Sequence, residues 1–267
     1  MYLTRAMRIG LRVLTGVVLA IVYVPLTVVM INSFNADRAF GWPPSGFTLD
    51  WWSAALHNAG ALEALRTSVV VGLFATAVAL VLGTLAAMSL QRYRFFGRDA
   101  VSLLVILPIA LPGIVTGIAL NNAFRTIMGV PLSMLTLVVA HATFCIVVVF
   151  NNVIARLRRM GGDLEEASMD LGADSFTTFR RVTLPLLRTA LLAGGLLAFA
   201  LSFDEIIVTR FTAGQGTTTL PIWILDNLFR PNQAPVVNVV ATVLVIASVI
   251  PIYIAQRLSG DPSGGRV

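Results

Sequence analysis

Six stretches of this chain run for about twenty residues almost without charge, which is the length of apolar helix that a bilayer core about 30 Å thick demands. They lie at 13–31, 67–90, 101–124, 132–153, 189–209 and 236–255. In lipid every backbone N–H and C=O must be satisfied within the segment, so runs of this kind span as helices. The expected fold is an all-α integral membrane protein with six transmembrane helices, organised as a single domain over 1–267. A soluble domain carries about a quarter charged residues; this chain has 12%, against 57% apolar. The first run follows Arg5, Arg8 and Arg12, is too long for a typical signal-peptide core and lacks a clear small-residue cleavage site. It reads as a retained anchor.

The cations are all arginine or histidine, since no lysine occurs anywhere. That excludes a P-loop, whose lysine holds the nucleotide phosphates, and Schiff-base chemistry, which needs a lysine amine. Cys145 is the single cysteine and lies inside an apolar run, so no internal disulfide forms. Two histidines and one cysteine make no metal-ligand cluster, and no cofactor is expected in this chain.

Arginine placement predicts the orientation. With the N-terminus inside, fourteen arginines (among them Arg92, Arg94, Arg98, Arg156, Arg158, Arg159, Arg180, Arg181, Arg188, Arg257 and Arg266) fall on internal segments. Only Arg38, Arg66, Arg125, Arg210 and Arg230 fall outside. The positive-inside bias places both termini in the cytoplasm. The basic balance thus reports topology and contact with anionic membrane lipid, with no need of nucleic acid.

Within the spans, Pro108 and Pro112 predict a kink in the third, because proline removes a backbone donor that neighbours or a cavity must make good. Gly72, Ala75, Ala79, Gly83 and Ala86 give the second a small face suited to close packing. His141 reads as a hydrogen-bonded packing residue rather than a proton relay. Trp42, Trp51, Trp52 and Trp223 read as an interfacial belt, and 220–229 as an external helix.

The longest internal loop, 154–188, differs in character. Asp163 is a candidate N-cap, with Glu166 three residues on in a capping-box pattern. Leu164, Ala167, Ser168 and Leu171 share one small, mostly apolar face. Gly172 is a natural left-handed terminator. Asp174 can cap a second short helix bearing Phe176, Phe179 and Val182, which Pro185 ends or redirects into the next span. Two short amphipathic helices meeting at Gly172 either pack back on their own bundle or display an apolar patch to a partner.

Glu166-Ala167-Ser168, then Gly172, then Val182-x-Leu184-Pro185 resembles the EAA motif of ABC importer permeases, with matching spacing and with Ser168 and Val182 as mild departures. The resemblance implies a type I ABC importer transmembrane domain whose cytoplasmic coupling helix sits in a cleft of a separate ATPase subunit. It implies an assembly of two homologous permease chains, an ATPase dimer that handles ATP and Mg, and an extracytoplasmic substrate-binding protein. The expected setting is the bacterial cytoplasmic (inner) membrane.

The stretch from Leu201 to Trp223 carries Ser202-Phe-Asp204-Glu205, Phe211-Thr-Ala-Gly214 and Thr219-Leu-Pro221. It looks like the corresponding pattern of spermidine/putrescine-type permeases, the C-type subunit in particular. Such machinery serves a small cationic solute such as a polyamine; relatives also serve other small amines, amino-acid-like solutes or ferric iron. Asp204 and Glu205 are the only carboxylates inside a predicted span, and intramembrane acids usually face an interior or a watery cavity. They offer a negative stop for a cation, and adjacent helical positions point about 100° apart, so one of them is expected to face the path. Asn121 and Asn122 either line the same cavity or bond between helices. The rival readings are a stand-alone proton-coupled secondary transporter, which predicts inverted repeats and charges buried at the bilayer midplane, and an integral membrane enzyme, for which no convergent catalytic groups appear beyond this one acidic pair.

Overall fold

A computed structural model describes residues 4–38, 42–230 and 233–258; Arg266, counted above among the internal cations, lies outside the described residues. Among those residues the chain is helical, with one isolated bridge between Asn35 and Phe47. The helices are α1 (Arg5–Asn32), α2 (Asp50–Leu56), α3 (Ala59–Arg92), α4 (Arg98–Ala110), α5 (Gly113–Asn122), α6 (Met134–Met160), α7 (Asp163–Asp170), α8 (Ser175–Thr178), α9 (Leu184–Phe203), α10 (Ile207–Thr212), α11 (Leu220–Asn227) and α12 (Ala234–Leu258). The chain divides into two compact units, Met1–Leu62 with Trp223–Ile250, and Glu63–Ile222 with Pro251–Val267.

In the first unit α1 starts on a Thr4 cap, whose hydroxyl accepts from the Met7 N–H at 3.3 Å. None of its most apolar stretch is buried within the chain, as suits a helix solvated by lipid. Trp51 donates its indole N–H to the Asn35 carbonyl at 3.0 Å, and Trp52 stacks on Phe34 at 5.1 Å. Trp223 is buried to 8% exposure, its indole nitrogen 3.0 Å from where a Cβ on Gly60 would stand. The belt expectation therefore fails for Trp223, which fills a core position. Trp42 remains exposed.

The second unit is built around α6. Its start carries a capping box between Ser133 and Thr136, and most of its length is buried. The small face of α3 lies against it: Ala75, Ala79 and Ala87 are fully buried, and a Cβ on Gly83 would stand 2.9 Å from the Ile146 carbonyl. A backbone approach that close has room only for glycine. On the other side, Gly194 of α9 meets Val149, and the buried Cys145 thiol donates to the Ala198 carbonyl at 3.3 Å.

Among the described residues, four helical segments are long and apolar enough to cross a membrane: Arg5–Asn32, Ala59–Arg92, Met134–Met160 and Ser175–Phe203. The third predicted span is not one kinked helix. It is broken into Arg98–Ala110 and Gly113–Ile127 at an angle of 108°, which gives a fifth if the pair counts as one span. Pro112 stands as the N-cap of α5, where its missing donor costs nothing, and Leu111 before it is extended. The fifth predicted span also breaks, since α9 ends at Phe203 and α10 restarts at Ile207. The sixth lies on α12, whose fully described apolar part, Ala234–Val249, is shorter than the other spans.

Candidate functional site

The internal loop leaves α6 through Gly161, at φ 68°, and enters α7. Gly162, not Asp163, is the N-cap, and no capping box forms. The Gly162 carbonyl takes the Glu165 and Glu166 N–H groups at 3.0 Å, which leaves Asp163, Glu165 and Glu166 in the first turn facing the positive end of the helix dipole. At the other end the Ala173 N–H reaches the Ser168 carbonyl at 3.2 Å and the Gly172 N–H reaches Met169 at 2.9 Å. With Gly172 at φ 88° this is a Schellman termination, as expected for that glycine.

Asp174 caps α8 by accepting the Thr177 N–H at 2.7 Å. Hydrogen bonding from Thr177 holds its carboxyl below the usual carboxylate range, so the cap is lost only as pH falls through that depressed range. A π-helical turn, Phe179–Thr183, then runs straight into α9. Pro185 neither ends nor redirects the segment: it sits in the first turn of α9, where a missing N–H is tolerated.

Leu171 at 90% and Phe176 at 70% exposure, with exposed Leu164 and Ala167, stand clear of the chain's own bundle. Glu166 and Pro185 are exposed, Leu184 is exposed and Val182 half-buried. Ser168 turns inward, its hydroxyl 3.1 Å from that of Thr178, so it pins α7 to α8. The apolar patch points outward.

A clamp not expected from the sequence holds this loop in place. Glu165 accepts from Arg92, at the end of α3, and from the Thr183 hydroxyl, while Arg92 also donates to Thr183 at 3.2 Å. The Arg92 and Glu165 side chains keep only 29% and 17% exposure. Arg92 follows the last apolar residue of α3 and Glu165 lies beside the recognised motif, yet pairs 73 positions apart have no signature in a single chain.

The second cluster surrounds the 204–206 break. Glu205 accepts the Val208 N–H on its carboxylate at 2.8 Å, and its carbonyl takes the Thr209 hydroxyl at 2.8 Å, so it starts α10. Asp204 ends α9, its N–H donating to the Ala200 carbonyl at 3.1 Å, and its exposed carboxylate makes no hydrogen bond among the described residues. His141 is fully buried and bonds both sides of the break: Nδ1 is 2.7 Å from Ser202 Oγ and Nε2 is 2.9 Å from Thr209 Oγ1. Because the Thr209 proton goes to the Glu205 carbonyl, Nε2–H of the neutral ring must donate and Nδ1 accept from Ser202. A packing role for His141 fits this bonding.

Asn121 bonds between helices, donating to the Phe211 carbonyl at 2.5 Å; Thr136 serves the Thr212 carbonyl at 3.1 Å. Together they satisfy the end of α10. Gly117 permits the approach, since a Cβ there would stand 2.7 Å from the Phe211 ring. Asn122 is exposed and makes no such bond. Of the four polar candidates, Asp204 and Asn122 are thus open, while Glu205 and Asn121 are committed to holding α10.

Residues 79–260, from the small face of α3 through the loop and the break, match the family described as binding-protein-dependent transport system inner membrane component. The chain belongs to that family. This permease is 35% identical to the spermidine/putrescine transport system permease protein PotC of Escherichia coli (strain K12), over 92% of each chain. It is 34% identical to the putrescine transport system permease protein PotI of the same strain, over 92% of this chain and 89% of PotI. Its fold matches a subunit of a bacterial ABC transporter involved in the import of the acidic polysaccharide alginate, with a TM-score of 0.75, 16% identity, and coverage of 96% and 99% of the two chains. The permease is therefore an inner-membrane transport subunit of an ABC importer, all-α in fold.

Proposed function

We propose that this permease carries a small cationic amine of the polyamine class, with Asp204 as the negative stop on its path. The observation that carries the reading is a carboxylate left open and without a hydrogen-bond partner at a helix break inside an apolar segment, in a chain that resembles PotC and PotI over nearly its whole length. An acid inside a membrane-spanning segment is costly unless it faces a water-filled path, and there it attracts a cation.

In this reading residues 1–267 act as one permease domain, both termini are cytoplasmic, and the chain pairs with a second homologous permease. ATP and Mg are bound by a separate ATPase dimer, and an extracytoplasmic binding protein delivers the solute. Glu166, Ala167, Ser168 and Gly172, with Val182, Leu184 and Pro185 behind them, form the coupling element. Its exposed apolar side chains, Leu164, Leu171 and Phe176, are the surface an ATPase cleft would cover.

The test of the substrate is ATP-dependent uptake by the reconstituted importer with its cognate binding protein. Spermidine or putrescine should be accumulated and should compete with each other. Accumulation of an amino acid or ferric iron with no amine uptake would overturn the polyamine reading, and proton-driven uptake without the ATPase would overturn the importer assembly.

Gly172→Val tests the coupling element. Nothing lies within 4 Å of a Cβ at Gly172, so the only penalty is the left-handed backbone, at φ 88°. That costs roughly 1–2 kcal/mol for a residue with a side chain and re-aims α7 without disturbing the spans. Transport should fall while ATP hydrolysis by the assembled complex persists. A variant that transports at the unmodified rate removes Gly172 from the coupling role.

A further inference from the structure

Where α6 and α9 approach the internal loop, they leave an open cleft of about 440 Å³. It is lined by Asn151, Asn152, Arg156 and Arg159 of α6, by Thr189 of α9, and by the short side chains of Ala155 and Ala190. Arg156 and Arg159 are three apart on a helix and so share a face. No acid lines the cleft, and neither guanidinium has an ion-pair partner among the described residues. Arg156 is half-buried and held in place, its Nε donating to the Leu186 carbonyl at 3.1 Å. That bond uses one of its five donors and leaves its two terminal nitrogens available.

We infer that this cleft is a binding site for a phosphate group, filled either by the headgroup of an anionic phospholipid or by free phosphate. Two guanidinium forks without an ion-pair partner among the described residues, with the Asn151 amide and the Thr189 hydroxyl beside them and no carboxylate, give a phosphate several donors, and the Arg geometry suits paired phosphate oxygens. The depth is also right. Arg159 precedes the last residue of α6, and Thr189 follows the first turn of α9, which places the cleft where the spans leave the bilayer. Basic pockets between transmembrane helices on the cytoplasmic side take anionic headgroups for this reason. The lipid arm rests on the proposed orientation, with this end of α6 cytoplasmic.

The complete importer complex, titrated with phosphatidylglycerol or phosphatidylcholine and read by native mass spectrometry, tests the site. Phosphatidylglycerol affinity should fall roughly fivefold in Arg159→Gln and about 25-fold in the Arg156→Gln/Arg159→Gln pair, at about 1 kcal/mol per basic residue; phosphatidylcholine binding should not change. The Arg159 side chain is exposed and forms no hydrogen bond among the described residues, so its single variant folds even if loss of the Arg156 bond disturbs the packing. Inorganic phosphate at millimolar concentration separates the sources: displacement of the lipid assigns the site to free phosphate, retention assigns it to the headgroup. Equal phosphatidylglycerol affinity in the unmodified complex and both variants, with no phosphate binding, overturns the inference. An epitope at Gly162 that reads external overturns the orientation alone and leaves the binding result standing.

Discussion

Asp204→Asn is expected to cut uptake of the cationic solute at least tenfold in an importer that still inserts and assembles, a loss of about 1.4 kcal/mol. Glu205→Gln should act mildly. Its amide oxygen can still accept the Val208 N–H that the Glu205 carboxylate accepts at 2.8 Å, so the start of α10 survives. The asymmetry follows from the two neighbours having different work: one carboxylate is spent on a helix end and the other is open. Arg210→Gln serves as the control, because an acid that acted mainly by pairing with that guanidinium would predict the same defect from either side. Normal uptake in both Asp204→Asn and Glu205→Gln, at normal membrane levels, would sink the acidic stop.

Charge reversal in the loop clamp should be as damaging and, unlike the first case, reversible. Arg92→Glu or Glu165→Arg alone puts two like charges together at side chains only 29% and 17% exposed. Losing a charge-assisted hydrogen bond at such a site costs about 1–3 kcal/mol. With α7 released from the end of α3, solute transported per ATP hydrolysed should drop about tenfold or more. The double variant Arg92→Glu/Glu165→Arg should recover most of it, because the Thr183 hydroxyl between them both donates and accepts. Hydrolysis and uptake measured on the same vesicles give the ratio. Single variants that keep the original ratio would show that the clamp carries no coupling.

Much of this was legible because lipid makes the hydrophobic pattern strict. The runs at 13–31 and 67–90 fall inside α1 and α3, and the run at 132–153 starts two residues before α6. The motif also carries its own turn chemistry, so the left-handed Gly172 and the Asp174 cap follow from residue type alone. Where the reading went astray, apolar content outweighed local signals that were present. Pro112 after Leu111 marks a helix boundary more than a kink, and the 108° break occurs there. Ser202 and Asp204 are residues that favour caps over helix interiors, yet the hydropathy of Ile206–Val208 carried the predicted span across them. Asp163 lost the cap to Gly162 because three acids in one turn are as well placed inside the helix as before it. The clamp and the His141 bonds join positions more than sixty apart in the chain, and only the packing of α6 against α9 and α10 brings the latter together.

The burial of Cys145 has a practical side. Its sulfur is enclosed between α6 and α9 and hydrogen-bonded to the Ala198 carbonyl, beyond the reach of water-soluble maleimides. A cysteine placed at Asp204, Leu171 or Arg159 would then be the reactive thiol in a chain that otherwise stays silent, with no background to be engineered away. Lysine being absent as well, amine-directed cross-linkers applied to an assembled complex would leave the side chains of this subunit untouched. The same preparation can therefore carry a spectroscopic probe on the permease while its partners are mapped by a chemistry to which the permease's own side chains are blind.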